Sequence, residues 1–328
     1  MVKAGFIGLG IMGFGMAYNL ARKGLLAGVY NRTGARSREF LARLEKEGVE
    51  GVKLASTPKE LAGQVDVVLT CVSNDQAMES IVFGRDGLLS GMSRGKILMD
   101  SSTTSSSQTA KMEKALAGKG ARLVAAPMTG SRLRAHNGTL TFMVGGNKAA
   151  AYSLKPLFGA MGERAVYLGS AESAQDFKVL ANQYQSDKLV SYAFKILAGL
   201  EAGAPMAGMQ EVFDNTAALS GVAKFKAGFI VAGDFGDTHD KVHFELDLML
   251  KDLRLAKQLR TRLGMVDPIA DQTLKLFEQA SKEGHGRRDF AAIVDFIQNS
   301  PRYNPKGKRI TGQSLTDAQL ISGEKSRK

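Results

Sequence analysis

Cysteine is almost absent. Cys71 stands alone in 328 residues, which excludes an internal disulfide framework and any multi-thiolate metal site. Histidine is scarce too. His136, His239, His243 and His285 are too few for a histidine cage, so no metal is expected. Long apolar runs are missing: none reaches the roughly 20 residues that a bilayer-spanning helix needs. Neither a cleavable signal segment nor an Arg-rich presequence stands ahead of the first strand-like run. These absences lead to the expectation of a reduced, cytoplasmic protein without a membrane partner.

What is present suits a globular chain, with 44% apolar and 23% charged residues, and 328 residues suit two domains. The formal charge of +12 invites a nucleic-acid reading, so its distribution matters. Residues 301–328 carry seven basic side chains against Asp317 and Glu324, in a Gly/Ser/Lys-rich stretch with few large apolar residues. A solvated, flexible basic tail is expected there, and nucleic acid is not expected as a partner. An anionic cofactor and substrate account for part of the remaining excess.

Apolar strand-like runs alternate with amphipathic helical stretches through the first half: strands at 5–8, 28–30, 65–72, 96–100, 122–125 and 140–144, with helices at 11–23 and 35–47. That alternation predicts an α/β domain with a doubly wound parallel sheet, because parallel strands need crossover connections. From residue 171 onward no strand is evident. Helical spacing predicts one long helix over 174–203 and further helices over 207–219, 244–263, 269–282 and 290–297. The expected organisation is a dinucleotide-binding Rossmann-type domain over 1–168, an all-α substrate and dimerisation domain over 169–300, and the tail.

Gly8-Leu9-Gly10-Ile11-Met12-Gly13 is a GxGxxG run that directly follows a strand and opens a helix, the context that makes it informative. Gly8 permits the tight turn, Gly10 lets backbone approach a pyrophosphate, and Gly13 lets helix and strand pack closely. The helix N-terminus, with Ile11 and Met12, would hold phosphate charge. At the end of the second strand an NAD site usually places a carboxylate for the ribose 2′-hydroxyl. This chain reads Asn31-Arg32-Thr33 and has none. Arg32 suits a 2′-phosphate and Thr33 adds a hydroxyl, so NADP (as NADPH) is predicted over NAD. The alternative is an ordinary solvated arginine. Val72, after the third long run, is a further cofactor candidate, and its neighbour Cys71 reads as a small buried apolar residue.

Five separated segments then resemble the β-hydroxyacid dehydrogenase family, whose archetype is 3-hydroxyisobutyrate dehydrogenase: residues 5–20, Asp100-Ser-Ser-Thr103, residues 126–131 with Gly138-Thr-Leu140, Lys178-Val-Leu-Ala-Asn182, and Lys251-Asp-Leu253. Gly130-Ser131 with Ala135 and Gly138 is most similar to the glyoxylate and succinic semialdehyde reductase branch. The resemblance implies a Rossmann-type domain, a helical domain resembling that of 6-phosphogluconate dehydrogenase, and subunits that pair through it as homodimers or homotetramers. It also implies that Lys178 is the catalytic lysine, with Asn182 one turn along the same face. It implies that Thr129, Gly130 and Ser131 bind the carboxylate of a small substrate, that Thr103 contacts the cofactor, and that Lys251 lies near nicotinamide or substrate. The chemistry suits these roles. Reduction of a carbonyl leaves negative charge on oxygen, which an ammonium stabilises and protonates. Hydroxyls and backbone N–H groups grip a carboxylate. Without the resemblance, Lys178 would read as a solvated helix charge, 129–131 as a polar loop, and Lys251 as an exposed charge beside Asp247 and Asp252.

The resemblance implies an oxidoreductase acting on CH–OH groups: an NADPH-dependent reductase of short aldehyde- or keto-acids, running in reverse as a 3-hydroxyacid dehydrogenase. Departures from the family pattern are Ala125 where an acid is common, Thr129 for serine, Gln183 for a second asparagine, and 172–176 in place of a glycine-bearing loop. Arg132, Arg134 and His136 add positive charge beside the substrate loop and favour a dianionic or bulkier acid. Two alternatives remain: an imine reductase-like enzyme on the same fold, opposed by Lys178, and a non-catalytic NADP-binding module, opposed by Lys178, Thr129 and Asn182.

Overall fold

A computed structural model describes residues 3–218, 220–236 and 242–316. His239, Leu219 at the end of one expected helix, and the tail from 317 lie outside the described residues. The chain divides into two compact units between Leu180 and Ala181.

The first unit runs β1 (Ala4–Ile7), α1 (Ile11–Arg22), β2 (Leu26–Tyr30), α2 (Gly34–Lys46), β3 (Lys53–Leu54), α3 (Pro58–Gln64), β4 (Val67–Thr70), α4 (Asp75–Phe83), β5 (Ile97–Asp100), α5 (Ser106–Ala117), β6 (Arg122–Ala125), β7 (Met128–Thr129), α6 (Ser131–Asn137), β8 (Leu140–Gly146), α7 (Lys148–Ser153), α8 (Lys155–Met161) and β9 (Gly162–Tyr167). The strand order β3-β2-β1-β4-β5-β6 is parallel throughout and reverses direction of growth between β1 and β4. Ligands of open α/β sheets bind at such a switch point, beyond the carboxyl ends of the strands. The expectation of a parallel sheet needs one correction. β8 runs antiparallel to β6 and to β7, and β9 then pairs parallel with β8. β7 and β8 are joined by only a short helical turn, a connection that returns the chain antiparallel, whereas parallel pairing needs a long crossover.

Strands buried on both faces read as continuous apolar runs, and every residue of β1, β4 and β5 is buried. Alternate side chains feed two cores. Phe6, Met99, Phe40 and Phe142 lie on one face; Ile7, Leu98, Leu61 and Met112 lie on the other.

The long helix α9 (Ala171–Glu201) starts three residues before its expected position. The reason is packing: Ala171 and Ala174 belong to the core of the sheet, and a Cβ at Gly145 would stand 2.9 Å from the Ala174 Cβ. Hence the compact division falls inside α9. The second unit continues with α10 (Met206–Asp214), α11 (Gly221–Ala232), α12 (Leu246–Arg262), α13 (Pro268–Ala280) and α14 (Ala292–Asn299). Among its described residues the only β pairing is an isolated bridge between Glu245 and Asp289. Leu189, Ile196, Leu253, Phe277 and Ile293 centre its core. Lys226 and Asp289 form a buried ion pair, with Nζ 2.8 Å from both carboxylate oxygens. Most of residues 301–316 are exposed, as expected, but two side chains tie the stretch to this unit. Ile310 is fully buried in its core, and the Asn304 amide donates to the carbonyls of Gln298 and Lys308.

Candidate active site

The glycine loop spans the switch point. Gly8 takes φ +101°, and a Cβ there would meet the Cys71 carbonyl oxygen at 2.2 Å, because the loop crosses the end of β4. A Cβ at Gly13 would fall 1.9 Å from the Gly8 carbonyl oxygen, so α1 can approach β1 only without that side chain. Gly10 differs: it is exposed and its Cβ would meet nothing within 4 Å. It begins α1, and no side chain caps the first N–H groups of that helix. Open space over uncapped helical donors fits a phosphate group.

Asn31 locks this loop to the end of β2. Its Oδ1 accepts from the Leu9 N–H at 2.9 Å and its amide donates to the Thr33 carbonyl at 3.0 Å. Arg32 and Thr33 are exposed, and among the described residues Arg32 makes no ion pair. The Val72 N–H donates to Ser102 Oγ at 2.9 Å, which joins the ends of β4 and β5. Cys71 is half-buried rather than fully buried, and desolvation, then the Asp100 charge, push its thiol up to about 12, which favours the protonated form.

Asp100 is a buried carboxylate that sequence reasoning treated only as part of a motif. It accepts from the Thr70 hydroxyl at 2.9 Å, from the Ser102 N–H at 2.9 Å, and from Thr104 and Gln175 at 3.4 Å each. Burial raises its pKa above the ordinary value. Thr103 lies within this segment, half-buried.

The substrate-loop candidates sit where β7 gives way to α6. Thr129 is half-buried, Gly130 has φ +139°, and Ser131 has φ +65°. A side chain at Gly130 would strike the Arg134 Cβ at 2.9 Å. α6 packs directly on α1: a Cβ at Gly15 would reach the Ala135 backbone at 2.8 Å. The Asn19 amide donates to the carbonyls of Gly15, Ala135 and His136 at 2.8–3.1 Å. Asn19 therefore clamps α6 to α1, a role that helical periodicity alone does not reveal. Burial, then the Arg132 and Arg43 charges, hold His136 below the usual histidine value, which disfavours its charged form.

Lys178 is buried, with 7% of its surface exposed, which is unusual for a lysine. Asn182, four residues on along α9, is also buried, and its amide donates to the Asp252 Oδ2 at 2.6 Å. Lys251 Nζ lies 3.0 Å from the other Asp252 oxygen. The structure thus brings Asn182 and Lys251 together on Asp252, a fully buried acid that sequence reasoning weighed only as a neighbouring surface charge. Its place in the Lys251-Asp-Leu253 segment was the available signal. Gln183 is buried and donates to Asp187 at 2.8 Å. Among the described residues no group of three or more His, Cys, Asp or Glu side chains forms a metal cluster, and no helix is long and apolar enough to cross a membrane.

The fold and the glycine loop define a dinucleotide-binding protein with a helical second unit. Residues 3–169 match the family described as the NAD binding domain of 6-phosphogluconate dehydrogenase. Residues 173–297 match the one described as NAD-binding of NADP-dependent 3-hydroxyisobutyrate dehydrogenase. The 2-(hydroxymethyl)glutarate dehydrogenase of Eubacterium barkeri is 29% identical, over 89% of this chain and 94% of its own. Glyoxylate/succinic semialdehyde reductase 1 of Arabidopsis thaliana is 27% identical, over 91% and 99%. The crystal structure of 3-hydroxyisobutyrate dehydrogenase from Salmonella typhimurium superposes with a TM-score of 0.77 at 26% identity, over 90% of this chain and 99% of that one. The chain belongs to the β-hydroxyacid dehydrogenase family. It is an NAD(P)-dependent oxidoreductase of the 3-hydroxyacid dehydrogenase and semialdehyde reductase kind, acting on CH–OH groups.

Proposed function

We propose that this protein is an NADPH-dependent reductase of short aldehyde- or keto-acids, with Lys178 as its general acid. The burial of Lys178, at the position of α9 that the family resemblance singles out, supports the reading, because an ammonium beside the reacting carbonyl stabilises negative charge on its oxygen. Gly8, Gly10, Ile11, Met12 and Gly13, with Asn31, Val72, Thr103 and Lys251, would hold the dinucleotide, and Arg32 with Thr33 would take its 2′-phosphate. When bound, the reduced nicotinamide supplies a hydride to the substrate's carbonyl carbon. Lys178 then stabilises the developing alkoxide and gives it a proton, and the amine takes that proton back in the oxidative direction. Asn182, bonded to Asp252, orients the substrate oxygen or the amine from the next turn of α9. Thr129, Gly130 and Ser131 would grip the substrate carboxylate through hydroxyl and backbone donors.

Arg132 and Arg134, on the helix that follows this loop, support a substrate with a second anionic group, and the Eubacterium barkeri relative bears the name of a dicarboxylate dehydrogenase. Subunit pairing through the helical unit belongs to the same proposal. Leu263, Met265, Val266 and Ile269 are exposed along the α12–α13 connection and support it. A cytoplasmic location also belongs here.

Lys178→Ala is expected to lower kcat at least about 100-fold, the usual weight of a general acid, while NADPH affinity stays within about threefold. The assay follows NADPH absorbance with semialdehydes bearing one and two carboxylates, and repeats the set with NADH. Wild-type turnover in the variant removes the mechanism; a preference for NADH removes the cofactor assignment; equal kcat/KM for both substrate sets removes the dianion reading.

A further inference from the structure

Segment 172–176 departs from the family's glycine-bearing loop, and the structure gives it work. Gln175 is 1% exposed, in the second turn of α9. Both ends of its amide are engaged. The oxygen accepts from the Thr104 N–H at 3.4 Å. The nitrogen donates to the Ser102 carbonyl at 3.1 Å and to Asp100 at 3.4 Å. Thr103, the cofactor-contact candidate, lies between the two backbone groups that this one side chain grips. The next residue adds a second tie, for the Ser106 hydroxyl donates to Asp176 Oδ1. Two consecutive residues of α9 are therefore fastened to the stretch that runs from the end of β5 into the first residue of α5.

We propose that Gln175 is a positioning residue for Lys178, fixing the turn of α9 that carries the amine relative to the Thr103 segment. This rests on the reading of Lys178 as the general acid. Lys178 follows Gln175 by three residues, close to one turn of a helix with 3.6 residues per turn, so the two share a face. A helix start held only by apolar packing tolerates small sliding and rotation; directional hydrogen bonds at consecutive residues do not. Displacement of a catalytic group by about 1 Å costs up to about 100-fold in rate.

The test combines Gln175→Leu, Gln175→Glu, the double variant Gln175→Glu/Asp100→Asn, and Lys178→Ala. Gln175→Leu removes the bonds at similar volume. It is expected to lower kcat by about 10- to 100-fold, with the KM for NADPH changed less than about fivefold. Gln175→Glu sets a second carboxylate against Asp100 and is expected to lower both stability and kcat. Adding Asp100→Asn restores the bond between positions 175 and 100 with its polarity reversed, though not the donor to the Ser102 carbonyl, and is expected to recover at least about threefold of the lost kcat. A purely structural role predicts no kcat-selective loss. If Lys178→Ala collapses turnover while Gln175→Leu stays within about twofold of wild type, the positioning role is overturned and the mechanism stands. If Lys178→Ala turns over normally, the underlying mechanism falls instead. Should Gln175→Leu fail to fold, the single and double Gln175→Glu variants decide: absence of rescue overturns the proposal.

Discussion

A methyl group at Gly13 would stand 1.9 Å from the Gly8 carbonyl oxygen, while one at Gly10 would meet no protein atom within 4 Å. Two glycines of one motif thus answer different demands. Gly13 serves the fold, and on the proposed reading Gly10 serves the ligand. Gly13→Ala forces a backbone shift in a packed core and is expected to cost about 1–3 kcal/mol or more. Gly10→Ala is expected to leave Tm within about 2 °C, yet to weaken NADPH binding at least about tenfold by blocking close backbone approach. Thermal scanning and cofactor fluorescence titration of both variants check this. Unchanged NADPH binding in Gly10→Ala would count against a phosphate beside that residue. The same residues explain why part of the site was legible and part was not. The glycine run declares itself because backbone geometry restricts those positions to one residue type. The burial of Lys178, Gln175 and Asp252 leaves no mark on apolar periodicity, since each is a polar residue on a helix whose neighbours set the pattern. Only the resemblance singled out Lys178, and Gln175 stood out only as one residue of the divergent 172–176 segment.

Most elements with strong patterns were placed within two or three residues, although the helix expected over 207–219 ends at Asp214, and elements without such patterns were missed. The buried strands β1, β4 and β5 are short apolar runs that no helix of that length would explain. β9 reads Gly-Glu-Arg-Ala-Val-Tyr, and its four central residues are exposed, so it lacks the apolar alternation of a strand with a covered face. α11 is rich in glycine and β-branched residues. Its signals are local ones: Ser220 accepting from the Ala223 N–H, and left-handed Gly233 at its end. The end of β5 carries its own test. In the folded protein, burial raises the Asp100 carboxyl above its ordinary value of 3.8. The native chain therefore holds the proton across a pH window in which the unfolded chain has lost it, and stability falls as pH rises through that window. Asp100→Asn keeps an oxygen for Thr70 and Ser102 and does not titrate. The Tm difference, variant minus wild type, is expected to grow as pH is raised from about 4 to about 7. A difference that stays flat or shrinks across that range would show that the native donors fully offset the burial of the charge.

Over the whole molecule the charge is +12, and residues 301–316, which hold Arg302, Lys306, Lys308 and Arg309, are anchored to the helical unit through Ile310. An excess held on a folded surface acts as a long-range field rather than as a loose polycation. That field attracts any dinucleotide, while Arg32 acts on the 2′-phosphate alone, so the two contributions separate by salt and by cofactor. Screening shortens the reach of exposed charges from about 30 Å in 10 mM salt to about 8 Å at physiological ionic strength. With rising salt, kcat/KM is expected to fall for both cofactors through the shared field. It is expected to fall more steeply for NADPH, which carries the additional phosphate. In Arg32→Gln the gap between the NADPH and NADH slopes should narrow, leaving only what the shared field exerts on the additional phosphate. Plots of log kcat/KM against log salt for both enzymes and both cofactors provide the check. Equal slopes in the wild type would mean that Arg32 is an ordinary solvated charge and that the preference for NADPH has no basis at the end of β2.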